Sequence, residues 1–114
     1  MADIKRLSET DIQQIEGFEV GQLGAVDSMS IQYFEFPPGS EVPVHSHDQT
    51  QIGFVYQGEL TLTIDGEERV VGPDDAYLLE SNEPHGGENR GDEPVRGVDI
   101  FNPPRNAPNW ADDE

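Results

Sequence analysis

Short apolar runs, each closed by a turn signal, leave this chain few architectures to choose from. Met29 to Phe36 is rich in β-branched and aromatic residues and stops at Pro37-Pro38-Gly39. Val42 to His47 is a short strand despite Pro43, which belongs at a sheet edge or a bulge because proline cannot donate to a central ladder. Ile52 to Tyr56 and Leu60 to Ile64 are split by Gln57-Gly58. Leu60, Leu62 and Ile64 alternate with Thr61 and Thr63, the period of a half-buried strand. Asp65-Gly66 is a two-residue hairpin signal, with the return at Arg69-Val70-Val71. Ala76 to Leu79 and Val98 to Phe101 complete the set. Many short strands with little helix specify an all-β sandwich or barrel.

The ends are weaker. In residues 1–27, Ser8-Glu9-Thr10-Asp11 before Ile12 and Ile15 is compatible with the start of a short helix, which Gly17, Gly21 and Gly24 would interrupt. The proline-rich acidic tail, residues 103–114, is expected from its composition to hold no regular structure, although its Trp110 suggests that it packs on something. With 114 residues, a single domain is expected, its barrel spanning residues 28–102.

Composition removes several classes of function. There is no cysteine, hence no disulfide, thiolate ligand or cysteine nucleophile. The net charge of −18, from 24 acidic and 6 basic residues, repels nucleic acid and anionic membrane alike. It fits either a basic partner or adaptation to high salt. The spread of the acids (Asp11, Glu35, Glu67, Asp92, Asp112) favours the solvated, halophilic surface over a docking patch. No long apolar run is present and the first residues lack a signal-peptide pattern, so a soluble, cytoplasmic protein is expected.

All three histidines fall into one metal-ligand pattern. His45 and His47 stand at i and i+2, which on a strand points both rings to one face. Gln51 follows, and His85 comes after Pro84 at the end of a later apolar run. Neutral imidazole is the commonest protein ligand for divalent transition metals, and such donors accept nickel, zinc, manganese, iron or copper. With every histidine committed to that pattern, the sequence argues against serine catalysis through a histidine base. No phosphate-cradling glycine loop precedes a helix.

Strands and histidines together resemble the cupins. The first cupin motif is legible as Gly39, His45-x-His47, Gln51 and Gly58, and the second runs from Gly66 through Asp75, Leu79 and Pro84-His85 to Asn89. The resemblance covers about residues 29 to 101 and implies a double-stranded β-helix, or jelly-roll barrel. The second motif departs from the pattern at Asp74 and Asn82, where glycines are usual, and at Glu80, where proline is. Gln51 departs more consequentially, since many metal cupins carry glutamate there. Four neutral ligands leave the divalent charge uncancelled, which favours Lewis acidity over oxygen activation. The alternative is that Gln51 stands behind the ligands and supports them.

Val98-Asp99-Ile100-Phe101-Asn102-Pro103-Pro104-Arg105 is similar to the ending of small cupins of the KdgF type, which also pair three histidines with a glutamine. That resemblance implies conversion of 4,5-unsaturated uronic acids into linear keto forms. Its aspartate, phenylalanine and arginine match Asp99, Phe101 and Arg105. Asp99 is then the proton shuttle, Phe101 a wall against the sugar face, and Arg105 a two-pronged partner for the substrate carboxylate. Read without the resemblance, Asp99 is one surface acid among many, Phe101 a core residue and Arg105 the partner of a neighbouring acid. The sequence leaves open whether Tyr33, Tyr56 and Gln49 line the barrel or face solvent, and whether Gly86-Gly87 merely turns the chain. Three functions compete: uronate ketonisation, a cupin-type metal dioxygenase, and a non-catalytic cupin that binds metal or a small ligand. Cupins of this kind are often dimers, and by that resemblance a homodimer is expected.

Overall fold

The computed structural model describes residues 2–15 and 17–104. Among the described residues, one 3-10 turn, Leu7–Glu9, precedes ten strands. They are β1 (Gln13–Ile15), β2 (Phe18–Ala25), β3 (Ser30–Phe36), β4 (Glu41–His45), β5 (Thr50–Gln57), β6 (Leu60–Ile64), β7 (Glu67–Val71), β8 (Asp75–Leu79), β9 (His85–Glu88) and β10 (Val95–Asn102). They form two antiparallel sheets with strand orders β1-β2-β3-β10-β5-β8 and β4-β9-β6-β7. This is a jelly roll. No helix among the described residues is long and apolar enough to cross a membrane.

The hydrophobic effect drives the two sheets together, at roughly 1.5–3 kcal/mol for each large side chain taken fully from water. Phe34, Val55 and Val95 of the larger sheet meet Leu60, Leu62 and Val71 of the smaller one. A second cluster, Phe18, Val20 and Val42, adjoins it, and Phe36 touches both. The Asp65-Gly66 turn has positive φ at both residues (51° and 82°), the two-residue hairpin geometry that the sequence specifies. Pro43 lies in β4, an edge strand, as expected.

The amino-terminal segment differs from its sequence reading. No α-helix opens at Ser8, and the glycines read as interruptions lie at the head of and within a strand that pairs with β3. The reason is close approach. A Cβ at Gly21 would come within 2.7 Å of the Ile12 side chain and 3.1 Å of the Asp11 carbonyl. Glycine there lets the preceding segment lie against the sheet, while Phe18 and Val20 anchor the strand in the core.

The outer face of the larger sheet is apolar as well. Along β5, Gln51, Gly53 and Val55 point inward while Ile52, Phe54 and Tyr56 point out, each 40–45% exposed. Tyr33 lies on the same outer face, where it is covered. Its hydroxyl donates to Glu35 (2.9 Å) and accepts from Nε of Arg96 (2.8 Å), whose guanidinium lies 5.6 Å from the Tyr33 ring and 5.4 Å from that of Tyr56.

Candidate metal centre and its pocket

His45 ends β4, and in register opposite it His85 begins β9. His47 lies two residues beyond the end of β4, so the two imidazoles of His45-Ser46-His47 do not share a strand face. They converge because loops tie the segment down. The backbone N–H of Asn82 donates to the His47 carbonyl (2.7 Å), and the Ser81 hydroxyl donates to the Asp48 carbonyl (2.9 Å). Ring centroids are 4.5 Å apart for His45 and His85, 4.9 Å for His47 and His85, and 5.6 Å for His45 and His47. One nitrogen from each ring lies within 4.8 Å of the others.

Each ring is oriented in the same way. Nδ1 of His45 faces the Pro43 carbonyl (2.8 Å), Nδ1 of His47 that of Gln49 (3.0 Å), and Nδ1 of His85 that of Glu83 (2.8 Å). A carbonyl only accepts, so each Nδ1 carries the proton and each Nε2 the lone pair. Metal-binding histidines are held in just this manner, with the remote nitrogen donating to a backbone carbonyl.

Gln51 projects inward from β5, and its Oε1 is 3.0 Å from Nε2 of His47. Once Nδ1 has taken the proton, two lone pairs face one another. A cation against both resolves this, as does rotation of the amide. Two donors about 2.1 Å from one ion and at right angles to each other stand about 3.0 Å apart, so the separation fits a shared metal. The four residues therefore fit a divalent ion. All four donors are neutral.

His45 and His85 open onto a cavity between the sheets, with about 450 Å³ of empty space, its mouth included. Gln32, Asp99 and Phe101 line it together with His45, Gln51 and His85. Pairing places these groups in two rows across the larger sheet. Ser30, Phe101, Gln51 and Leu79 form one; Gln32, Asp99, Gly53 and Tyr77 form the next. Asp99 is thus buried (6% exposed) and is not a surface acid. Phe101 is both core and wall, with its ring 5.9 Å from that of His47. The Tyr77 hydroxyl donates to Oδ1 of Asp99 at 2.5 Å. Burial, reinforced by the Asp99 carboxylate, pushes the Tyr77 phenol well above its ordinary range.

Arg105 and Trp110 lie outside the described residues. Gly86 and Gly87 are in β9 and line the cavity, where a Cβ at Gly86 would come within 2.9 Å of the Val42 carbonyl. Sequence reasoning missed Gln32 and Tyr77. Their inward alternation was legible, but the register that sets them beside Asp99 was not.

Comparison with known proteins agrees with this fold. Residues 32–101 match the family model described as "Cupin domain". The KdgF pectin degradation protein of Dickeya dadantii is 32% identical over 80 residues, covering 69% of this chain and 72% of that protein. The H2HPP isomerase of Bacillus subtilis is 38% identical over 65 residues, covering 56% of this chain. The match spans only 28% of the isomerase's own length. Among solved structures, KdgF from Halomonas sp. superposes with a TM-score of 0.86 at 25% identity, over 93% of this chain and 97% of that one.

Proposed function

The chain belongs to the cupin family and is KdgF-like, and from that premise we propose that it is a metal-dependent enzyme that ketonises 4,5-unsaturated uronates. The observation that carries this reading is a buried carboxylate, Asp99, lining the same cavity as His45, His85 and Gln51, with His47 clustered against the other two histidines and all four donors neutral. A divalent metal held by His45, His47, Gln51 and His85 would supply Lewis acidity toward a substrate oxygen, with no carboxylate among those four to cancel its charge.

The reaction is an isomerisation. The anomeric hydroxyl loses its proton and becomes a carbonyl as the bond between C1 and the ring oxygen breaks. That oxygen becomes the C5 ketone, and the electron pair of the C4=C5 bond takes up a proton at C4. The net change is one proton moved from oxygen to carbon, with no oxidant. Asp99 is the residue assigned to carry it. Phe101 walls the cavity beside His47 and faces the sugar ring. Arg105 is assigned to the substrate carboxylate, with the paired N–H groups that suit a planar anion. The isomerase among the relatives points the same way, toward rearrangement within one substrate.

The metal-loaded protein, incubated without oxygen with 4,5-unsaturated galacturonate or mannuronate, should accelerate loss of the conjugated absorbance. His85→Ala should abolish both metal retention and turnover. Asp99→Ala should keep the metal and lower kcat by about 10²–10⁴-fold, the usual contribution of a positioned acid–base group. Asp99→Ala turning over at the wild-type rate would remove the proton shuttle from the mechanism.

The working form proposed is a homodimer, paired through the outer face of the larger sheet. Ile31, Ile52, Phe54, Leu78, Val98 and Ile100 form two adjoining outward rows with Tyr33 and Ala76, and no acid stands among them. In a chain of charge −18, such a face is where a second copy can approach without repulsion. Its footprint, four strands wide and two outward positions long, is roughly 260 Å² by strand geometry. That is about a third of the ~800 Å² per partner of a standard interface, the rim supplying the rest.

A further inference from the structure

Tyr77 and Asp99 touch although their strands do not adjoin. β5 lies between β8 and β10, and in register with both residues it carries Gly53. The Tyr77 ring passes directly over that glycine. A Cβ at position 53 would stand 2.0 Å from Cζ, 2.3 Å from Cε1 and 2.4 Å from the hydroxyl oxygen. No other residue leaves room. Glycine weakens a strand interior, so its presence in the middle of β5 marks the close passage of another group. The ring ends at Asp99, where a 2.5 Å hydrogen bond lies in the range of a hydroxyl donating to an ionised carboxylate.

We infer that Tyr77 is a positioning residue: carried across β5 over Gly53, its hydroxyl holds the Asp99 carboxylate in one orientation as the proton acceptor of the cavity. This rests on the reading of Asp99 as the group that moves the substrate proton. The phenol does not itself take that proton. Buried and beside a carboxylate, it keeps its own hydrogen and spends it on Oδ1. With one oxygen held by this bond, rotation of the carboxylate that lines the cavity is restrained. Sub-ångström placement of a proton-transfer group is worth orders of magnitude in rate.

The test uses the metal-loaded full chain with Tyr77→Phe, Gly53→Ala and the double variant. Tyr77→Phe keeps the ring and loses only the hydroxyl. It should lower kcat about 10- to 100-fold, as supporting hydrogen bonds behind an active group do, while leaving KM and metal content unchanged. Gly53→Ala, which displaces the ring, should match it, and the double variant should be no worse than either single one, since both remove the same contact. A readout independent of turnover is the phenolic proton. A hydrogen bond this short gives a strongly downfield proton resonance in the wild type, absent from Tyr77→Phe and from Gly53→Ala. Tyr77→Phe with unchanged kcat would overturn the inference, as would a wild type without the downfield proton. If the wild type turns over no uronate, the proposed reaction fails by itself, and the proton resonance still decides whether Tyr77 holds Asp99.

Discussion

Asn82 shows how much of the metal centre rests on a single backbone angle. Its φ is +65°, and its N–H is the group that ties down His47. Asp74, at φ +71°, is the other position where the cupin pattern has glycine. Both replacements of a pattern glycine thus fall on left-handed backbone, which aspartate and asparagine tolerate better than other non-glycine residues. Asn82→Val should therefore cost about 1–2 kcal/mol in denaturant unfolding and weaken metal retention as well. Unchanged values of both would detach Asn82 from the site. A second expectation concerns Tyr33, whose phenol is pushed up to about 12, chiefly by burial and against the opposing influence of Arg96. A folded-state value above the unfolded one, about 10, gives a contribution that is whole below pH 10. It is lost as pH climbs through about 12. Denaturation midpoints should fall across that window, and Tyr33→Phe should flatten the fall; an equally steep fall in the variant would assign it to other groups. The histidine set was legible from spacing alone. One shared strand face is not the cause of their convergence, since His47 lies beyond the end of β4, and the loop contacts that hold it join distant segments and carry no local signal.

β5 explains both what the sequence disclosed and what it concealed. Its run from Ile52 to Tyr56 was legible as a strand from composition, and so were the hairpin after β6 and the edge strand containing Pro43. Its two faces were not separable, because Ile52, Phe54 and Tyr56 are as apolar as the buried Val55. A continuous apolar run is the mark of a strand buried on both sides, whereas a strand with one wet face alternates. β2 failed for the opposite reason: its glycines resemble breakers, and only the packed Ile12 beside Gly21 shows why glycine is there. The proposed pairing makes a definite prediction for β5. The wild type should sediment as a dimer, and Phe54→Glu, which sets a charge in the middle of the outer face, should give a monomer that still retains metal. Val70→Glu, exposed on the other sheet, should leave the dimer intact. A wild-type monomer would contradict the pairing.

At the scale of the molecule, a jelly roll brings distant segments into one cavity: His45 from the end of β4, Gln51 from β5, His85 from β9, and Asp99 with Phe101 from β10, with His47 clustered beside His45 and His85. Gly39 at the start of the first motif and Asn89 at the end of the second also meet, the N–H of Gly39 donating to the Asn89 carbonyl (2.9 Å). The fold class was legible because strand and turn signals are local. The Gln32–Asp99–Gly53–Tyr77 row was not, since register across four strands is a property of the closed barrel. The central claim is that this cavity moves a proton within an unsaturated uronate without any oxidant. The direct measurement is turnover of a 4,5-unsaturated uronate by the metal-loaded protein in deuterated water under anaerobic conditions, with the product followed by NMR. The expected result is an open-chain 5-keto acid carrying one deuteron at C4, formed faster than in the absence of protein. Turnover that requires oxygen, or no acceleration with any of the five metals, would contradict it.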